Sequence, residues 1–402
     1  MYKIHSLIEV PNKIVFLPTD GNGREISIYN PKKCLVVGDS LYYPNPLLYS
    51  FQTDAVYAPI QEGVMSLKSI GCKSEVNLQS PSYKTVIDDN VFFFIYNTDN
   101  YYHFLYDTLP YLITFNHLRK TMNIKLLMNN PNSQKQEFYK FVTEFLELLG
   151  ITKSDILMVD KDTLYNNVYL STSYTHGIDS NLPPREEVYS LYKDMARELP
   201  DTDSPKKIYV SRRTWLHNNT SNIGTNYTQR RVMTNETELV NYLVSKGYTE
   251  VFTENLSTLE KIQVFKNATD VIGAIGGGIS NVLFSNKNCN LISICSPDFL
   301  NVNKRFLHSL SRVNLNLFEN TLPHDIGKFK KFMRVKCYDI VGEIIDIRDD
   351  ELIVNYTDEV VAGWNNESKY KEVAIKSCLC TPLDNGLNSA WWVLMDKIKE
   401  LV

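Results

Sequence analysis

The stretch DVIGAIGGGISNVLF, residues 270–284, decides the fold class of this 402-residue chain. It begins as a short apolar strand, passes through the three glycines Gly276–Gly278, and resumes as an apolar segment opened by Ser280 and Asn281. A strand that runs through a glycine turn into a helix is typical of a β-α-β unit, which builds a parallel sheet covered by helices. Such sheets bind ligands at the carboxyl ends of their strands, so the glycine turn is predicted to line a binding site.

The neighbouring segments alternate in the same way. A strand over residues 207–213 precedes a helix that Asn235 caps and Gly247 ends, and the next strand is predicted around residues 248–254. The helix that follows starts with a serine and a glutamate three residues apart, the spacing of a capping box. This order of elements predicts a parallel sheet.

Length and composition predict more than one domain, because 402 residues exceed what a single hydrophobic core usually supports. Strands and helices also alternate before residue 200, so the predicted fold class is α/β with an N-terminal domain over 1–200 and a second domain over 201–325. Residues 330–402 are predicted to form a small α+β module. That module would contain a hairpin turning at 348–350 and a terminal helix over 388–402.

Charge and cysteine content exclude several classes of protein. The net charge of -4 gives no general attraction for nucleic acid or an anionic membrane. Neither a signal peptide nor a stretch of about 18 apolar residues is found, so a cytoplasmic or otherwise soluble, non-secreted protein without a membrane span is expected. The seven cysteines are scattered without paired CxxC spacing, so neither a disulfide framework nor a zinc site is indicated.

Arginines are expected at the same edge of the sheet as the glycine loop. Arg212 and Arg213 end the first strand of the second domain, and Arg231 precedes its first helix. Guanidinium groups bind phosphate oxygens in a bidentate manner, and glycine-rich turns at a helix start expose N–H groups to anions. The alternative is a tight turn that needs positive φ angles. The predicted diphosphate site comprises these arginines with Gly276, Gly277, Gly278, Ser280 and Asn281.

A second group of polar residues lies in the predicted helix NYYHFLYDTLP. His103 and Asp107 are four residues apart and share a face with Asn100. A carboxylate beside an imidazole suits the removal of a proton from a hydroxyl. From the residues alone, an aspartate that satisfies a buried histidine is the more common case.

Five segments in this order resemble glycosyltransferase family 61: residues 100–112, 208–213, 230–239, 256–284 and 291–294. The resemblance implies a GT-B architecture, in which two Rossmann-like domains face a cleft. It also implies inversion at the anomeric carbon without an essential metal or another cofactor. In keeping with that expectation, no DxD motif has a convincing place in the sequence. The second domain would hold a nucleotide-sugar, for example UDP-GlcNAc or UDP-xylose, and the first would present a glycan or protein acceptor. A second copy of the chain is a further candidate partner.

On matching positions, His103 and Asp107 would face the reacting centre, while the arginines and the glycine loop would hold the diphosphate. Candidates for the nucleoside or sugar pocket are Asn100, Asn235, Phe252 and Glu254. The family commonly has a histidine before the loop glycines, where this chain has Ile275. That departure motivates an alternative hypothesis, a catalytically inactive protein that keeps the transferase fold and binds a nucleotide-sugar or glycan.

Overall fold

The structure is a computed structural model of the whole chain. The residues described are 1–37, 46–59, 75–129, 137–175, 182–213, 232–297, 299–300, 305–323, 329, 334–337, 340–356, 371–376, 381–382 and 391–402. They divide into two compact units, which we call unit 1 (residues 1–199) and unit 2 (residues 200–402).

Unit 1 is built on an eleven-stranded mixed sheet. Its strands are β1 (Tyr2–His5), β2 (Ile14–Leu17), β3 (Ile26–Tyr29), β4 (Lys32–Val37), β5 (Leu47–Ser50), β6 (Ala55–Tyr57), β7 (Glu75–Val76), β8 (Thr85–Phe94), β9 (Ile124–Met128), β10 (Ile156–Met158) and β11 (Thr163–Ser171). The helices are α1 (Leu112–Leu118), α2 (Lys140–Leu148) and α3 (Glu186–Arg197), with short 3-10 turns at Leu7–Glu9, Leu109–Tyr111 and Lys153–Asp155 and a π-helical turn at His103–Thr108.

The parallel part of this sheet positions the histidine motif. Strands β10, β9, β8 and β11 are neighbours in that order and all parallel. The end of β8 is an unbroken apolar run, Val91–Phe94, whose side chains are fully buried. A strand buried on both faces is typical of a parallel sheet covered by helices. The segment with His103 follows β8 directly, so it lies at the carboxyl edge of these strands.

The helix predicted over the HFLYD motif forms as three different helical turns in succession. Pro110 has no N–H, and just before it the Leu109 N–H bonds to the carbonyl of Phe104, five residues back. The carbonyl of Leu105 instead accepts a hydrogen bond from the hydroxyl of Tyr192 on α3. The proline therefore accounts for the wide π turn, and π turns are frequent at functional sites.

Unit 2 contains the parallel sheet that the sequence predicts. Strands β12 (Lys207–Val210), β13 (Thr249–Val251), β14 (Asp270–Ala274), β15 (Asn290–Ile294) and β16 (Asn314–Phe318) pair in the order β13-β12-β14-β15-β16, all parallel. Helices α4 (Glu236–Ser245), α5 (Thr258–Asn267) and α6 (Phe306–Leu310) connect them, with 3-10 turns at Thr253–Asn255 and Ile279–Phe284. The mixed α/β class is confirmed.

Several local signals are confirmed in detail. Ser257 and Glu260 form the capping box that begins α5. Gly150 and Gly247, which follow α2 and α4, have φ angles of 66° and 84°, the left-handed conformation that glycine adopts without strain. These features depend on contacts between residues close in sequence, so the sequence alone predicts them.

The C-terminal segment contains a second sheet in unit 2, which is antiparallel. Its strands are β18 (Arg334–Cys337), β19 (Ile340–Arg348), β20 (Glu351–Tyr356), β21 (Lys371–Lys376) and β22 (Thr381–Pro382), in the order β21-β20-β19-β18-β22. The predicted hairpin is confirmed, because Arg348 pairs with Glu351. The intervening turn includes Asp349 at a φ of 51°.

The terminal helix predicted over 388–402 is wrong for its first half. Residues Trp391–Val393 form strand β23, which pairs with β17 (Thr321–Pro323), and only Met395–Lys399 form a helix, α7. Trp391 is 1% exposed and Trp392 is 44% exposed, the in-and-out alternation of a strand. Trp391 packs in the hydrophobic core of unit 2 with residues of α4, β14 and β16.

Candidate functional site

Three neighbouring strands of unit 2 end at the same edge of the sheet. The segments that follow β13, β12 and β14 are Phe252–Glu254, Ser211–Arg213 and Ile275–Gly278. Because β12 lies between β13 and β14 and all are parallel, these segments are adjacent. The predicted association of the glycine loop with the end of the first strand of this sheet is therefore present.

Side chains of neighbouring strands and strand ends lie directly against two of the loop glycines. None of Gly276–Gly278 has a positive φ, so the tight-turn alternative is wrong. A Cβ at Gly276 would lie 2.9 Å from Nη1 of Arg212, and one at Gly278 would lie 2.9 Å from both Thr253 Oγ1 and Val210 Cγ1. At Gly276 and Gly278, side chains from the neighbouring strand ends thus occupy the space that a Cβ would need.

Arg212 is the arginine that lies against the loop. Its side chain is almost fully buried, and within the described residues its Nε and Nη2 make no hydrogen bond. These two N–H groups form the side-on pair of a guanidinium group, the arrangement that binds two oxygens of a phosphate or carboxylate. Burial lowers the pKa of Arg212, while the charges of Glu236, Tyr209 and Glu254 oppose that shift. A buried cation with two unused donors is suited to an oxyanion.

Arg213 has a different environment from that of its neighbour. Its Nε and Nη2 donate to the two carboxylate oxygens of Glu250, at 2.9 and 2.6 Å, and its Nη1 donates to Thr237 Oγ1 at 3.3 Å. Both members of this ion pair are largely buried, at 13% and 16% exposure. In Arg213, the Nε and Nη2 donors therefore already bind a carboxylate, whereas the same two donors of Arg212 do not. The third predicted arginine, Arg231, lies outside the described residues.

Two other predicted residues form hydrogen bonds to the backbone of the glycine loop. Ser280 Oγ donates to the carbonyl of Gly277 at 2.6 Å, and Asn281 Nδ2 donates to the carbonyl of Gly278 at 2.8 Å. Both side chains are fully buried. Their polar atoms bind the loop backbone, so they support the shape of the loop.

The candidates for the nucleoside or sugar pocket are divided between the two units. Phe252 and Glu254 lie at the edge described above, half-buried and buried respectively. Asn235 is at the cap position of α4, but its side-chain amide binds the backbone of Val393. Asn235 Nδ2 donates to the Val393 carbonyl at 2.8 Å, and Asn235 Oδ1 accepts the Val393 N–H at 2.9 Å. Asn100 is in unit 1, where its Oδ1 accepts the N–H of His103 at 3.2 Å.

Glu236 is the residue of this site that the sequence does not predict. It begins α4 and is 1% exposed. Its Oε1 accepts hydrogen bonds from the backbone N–H of Arg212 at 2.7 Å and from the Tyr209 hydroxyl at 2.8 Å. A glutamate in the first turn of a helix is common for electrostatic reasons alone, so the sequence offers no signal of this role. Burial raises the pKa of the Glu236 carboxyl, and the hydrogen bonds from Arg212 and Tyr209 partly offset this effect.

The predicted dyad forms in unit 1. His103 Nδ1 lies 2.7 Å from Asp107 Oδ2, and the other carboxylate oxygen accepts the Thr175 hydroxyl at 3.3 Å. Thr175 follows the end of β11, the parallel neighbour of β8. The histidine side chain is 29% exposed and the aspartate 11%, so the imidazole is accessible while the carboxylate is nearly covered. Within the described residues, Nε2 of His103 makes no hydrogen bond.

The described segments contain neither a metal-binding cluster nor a membrane-spanning helix. Across the described segments, no group of three histidine, cysteine, aspartate or glutamate side chains is arranged to hold a metal ion. In the same part of the chain, no helix has the length and apolar character that a membrane crossing requires.

The sequence model of glycosyltransferase 61 matches residues 101–292, which include the dyad, Arg212, Glu236 and the glycine loop. No curated protein matches this chain. Among solved structures, TibC, the iron-containing dodecameric glycosyltransferase of enterotoxigenic E. coli, shares 11% identity over 71% of this chain and 78% of its own. Its TM-score of 0.26 is too low to support an argument. The predicted resemblance to glycosyltransferase family 61 is therefore confirmed over residues 101–292.

Proposed function

We propose that this chain is an inverting glycosyltransferase of the GT-B type, which moves a sugar from a nucleotide-sugar to a hydroxyl of a glycan or protein. The match to the glycosyltransferase 61 model supports glycosyl transfer. The observation that carries the proposal is the buried Arg212, whose Nε and Nη2 make no hydrogen bond in the described part of the chain. This open edge lies beside the glycine loop, inside the region that matches the family.

The donor side of the reaction depends on Arg212 and the loop. When the bond between the sugar and the diphosphate breaks, negative charge develops on the leaving oxygens. Two parallel N–H donors in a buried position stabilise that charge without rearrangement, which is the task a metal performs in other transferases. The proposed donor is a nucleoside diphosphate sugar, with UDP as the nucleotide typical of the family.

The acceptor side depends on the dyad. In a single displacement the acceptor oxygen bonds to the anomeric carbon, the bond to the diphosphate breaks, and the hydroxyl proton goes to a base. With Nδ1 of His103 held by Asp107, Nε2 is the ring nitrogen that receives this proton. Asp107 then stabilises the imidazolium, and Thr175 holds the second oxygen of the carboxylate.

The two arginines provide a matched test of the donor site. We expect Arg212→Lys to weaken nucleotide-sugar binding about 10- to 100-fold, because a lysine keeps the charge but loses the bidentate edge. Arg213→Lys should leave the affinity nearly unchanged, since its edge already binds Glu250. A thermal-shift titration with UDP-, GDP- and dTDP-sugars measures both variants. If Arg212→Lys binds as tightly as the wild type, the proposed donor site is wrong.

A second candidate function is a binding protein without activity, favoured by Ile275. This residue replaces the histidine common in the family, its side chain is buried, and its N–H donates to the carbonyl of Ile294 at 2.9 Å. An apolar side chain packed at this position cannot exchange protons. Release of nucleoside diphosphate from any nucleotide-sugar, above the level of the His103→Ala variant, would exclude this alternative.

A further inference from the structure

Only one oxygen of the buried Glu236 carboxylate accepts hydrogen bonds from the segment that contains Arg212. Its Oε1 accepts three donors of the segment that ends β12: the Arg212 N–H, the Tyr209 hydroxyl and, at 3.5 Å, the Ser211 hydroxyl. Its Oε2 is buried and makes no hydrogen bond within the described residues. A buried carboxylate oxygen without a donor is unfavourable when it carries charge.

The charged groups that face Glu236 lie on β12 and the residues after it. From β12 and the residues after it, Glu236 faces Arg212, Arg213 and Tyr209. Arg213 is paired with Glu250, and Arg212 also faces Glu254 on the turn after β13. Arg212 therefore lies close enough to two carboxylates, Glu236 and Glu254, to interact with both electrostatically. An oxyanion at its open edge adds further negative charge to the same region.

We infer that Glu236 is a positioning residue for Arg212 and that it binds a proton from solvent when an oxyanion binds the Nε and Nη2 edge. This inference rests on the proposed function. The proton goes to Oε2, Oε1 keeps its hydrogen bonds to β12, and the positive charge of Arg212 becomes available to the ligand. No covalent bond changes. Burial already raises the pKa of Glu236 in the free protein, and a bound anion raises that pKa further.

The sign of the expected pH dependence follows from this linkage. If binding takes up a proton, affinity for the anion increases as the pH falls, by at most about tenfold per pH unit. The effect appears above the raised pKa of Glu236 in the free protein and below its pKa in the complex. Once both states are protonated, a further decrease in pH has no effect through this group.

The experiment is calorimetric titration with inorganic pyrophosphate from about pH 8 to about pH 6. The full-length wild type is compared with Glu236→Gln, which keeps the shape and the acceptor oxygen but cannot titrate. Pyrophosphate itself gains protons in this range, but that contribution is common to all variants and cancels in the difference. We expect the wild type to show a steeper increase in affinity with falling pH than Glu236→Gln. Glu250→Gln, which alters the partner of Arg213, should keep the wild-type slope.

A second variant separates titration of Glu236 from any general disturbance. Tyr209→Phe removes one donor from Oε1 without changing the packing volume appreciably. Loss of that donor destabilises the ionised carboxylate and raises the pKa of Glu236, so the steep part of the curve should move to higher pH. A purely structural role for Glu236 would produce weaker binding in both variants without a change in slope or position.

The outcomes distinguish this inference from the proposed function. If Glu236→Gln has the wild-type slope while Arg212→Lys loses pyrophosphate binding, the proton coupling is wrong and the donor site stands. If Arg212→Lys binds pyrophosphate as tightly as the wild type, or if the wild type binds none, both are overturned. A slope lost in Glu236→Gln and displaced in Tyr209→Phe supports the inference.

Discussion

The carboxyl edges of the two sheets hold their polar side chains in opposite ways. In unit 1, Asp107 binds His103 through one oxygen and Thr175 through the other. In unit 2, Arg212 is buried with two donors that bind nothing in the described part of the chain. Its neighbour Arg213 has the same chemistry but a complete set of partners. The two edges thus differ in whether the chain itself satisfies its polar groups.

This difference determines how strongly each edge indicates a ligand. A buried N–H without an acceptor costs about 1–3 kcal/mol, and a ligand that supplies the acceptor recovers this free energy on binding. In the dyad of unit 1, both carboxylate oxygens of Asp107 already have partners in the chain, so its geometry fits a structural pair as well as a base. The physical argument is therefore stronger for the anion site, and the dyad depends more on the family match.

The largest expected effect would decide which role the dyad has. His103→Ala and Asp107→Asn should each lower the turnover number about 10²- to 10⁴-fold, the usual contribution of a general base, with nucleotide-sugar binding unchanged. Release of nucleoside diphosphate under saturating acceptor measures the rate. If Asp107→Asn only lowers the melting temperature, the pair is structural. In that case only the edge in unit 2 would be a functional site.

The next effect concerns the stability of unit 2 alone. Trp391→Ala should lower the free energy of unfolding of this unit by about 3–5 kcal/mol, because a fully buried indole is removed from its core. Trp392→Ala, at a half-exposed position on the same strand, should change it by only about 0.5 kcal/mol. Denaturant titration gives both values. Equal losses would mean that β23 is not part of the core.

Trp391 is also connected to the anion site through the chain. Its carbonyl accepts the N–H of Thr234 at 2.7 Å, two residues before Glu236. We expect Trp391→Ala to weaken pyrophosphate binding as well, while the dyad in unit 1 keeps its geometry. Unchanged pyrophosphate affinity in a folded Trp391→Ala protein would contradict this link.

A smaller effect tests the space around Arg212. Gly276→Ala places a methyl group 2.9 Å from Nη1 of Arg212, which is closer than real Cβ contacts come, so the guanidinium group must move. We expect the side chain to shift and pyrophosphate affinity to fall about tenfold. Gly21→Ala serves as the control, since nothing lies within 4 Å of its added methyl. Identical affinity in both variants would remove the loop from the site.

The smallest expected effect returns to unit 1. Thr175→Val removes the hydrogen bond to Asp107 Oδ1, worth about 0.5–1.5 kcal/mol, so turnover should fall a few-fold. Thr175→Ser keeps the hydroxyl and should restore most of the rate. Equal rates in the valine and serine variants would show that this bond does not orient the carboxylate.

Local features of the site could be predicted from the sequence, since they depend on spacing along the chain. The contact between His103 and Asp107 follows from a separation of four residues in a helical segment, even though that segment is a π turn. The capping box at Ser257 and the glycine stops of two helices are equally local. For these, the physical interaction joins residues that are neighbours in sequence.

Other features could not be predicted, because they depend on residues distant in the chain. Arg212 and Arg213 are adjacent, and only the position of Glu250 on the next strand decides which guanidinium is left open. The role of Asn235 changes because Val393, 158 residues later, binds its amide. The strand at Trp391 forms against β17, whereas its sequence also fits a helical stripe.

In the parallel sheet of unit 2, the order of strands and helices was determined by the sequence, and so was the position of the glycine loop beside the end of the first strand. Parallel β-α-β units place the carboxyl ends of neighbouring strands together, so the sequence order was sufficient. The tertiary structure decided which polar groups are satisfied and which are left open. Hydrogen bonding and burial at this edge join strand ends and helix starts that are far apart in sequence, and only folding brings Arg212, Glu236 and Gly276 into contact range.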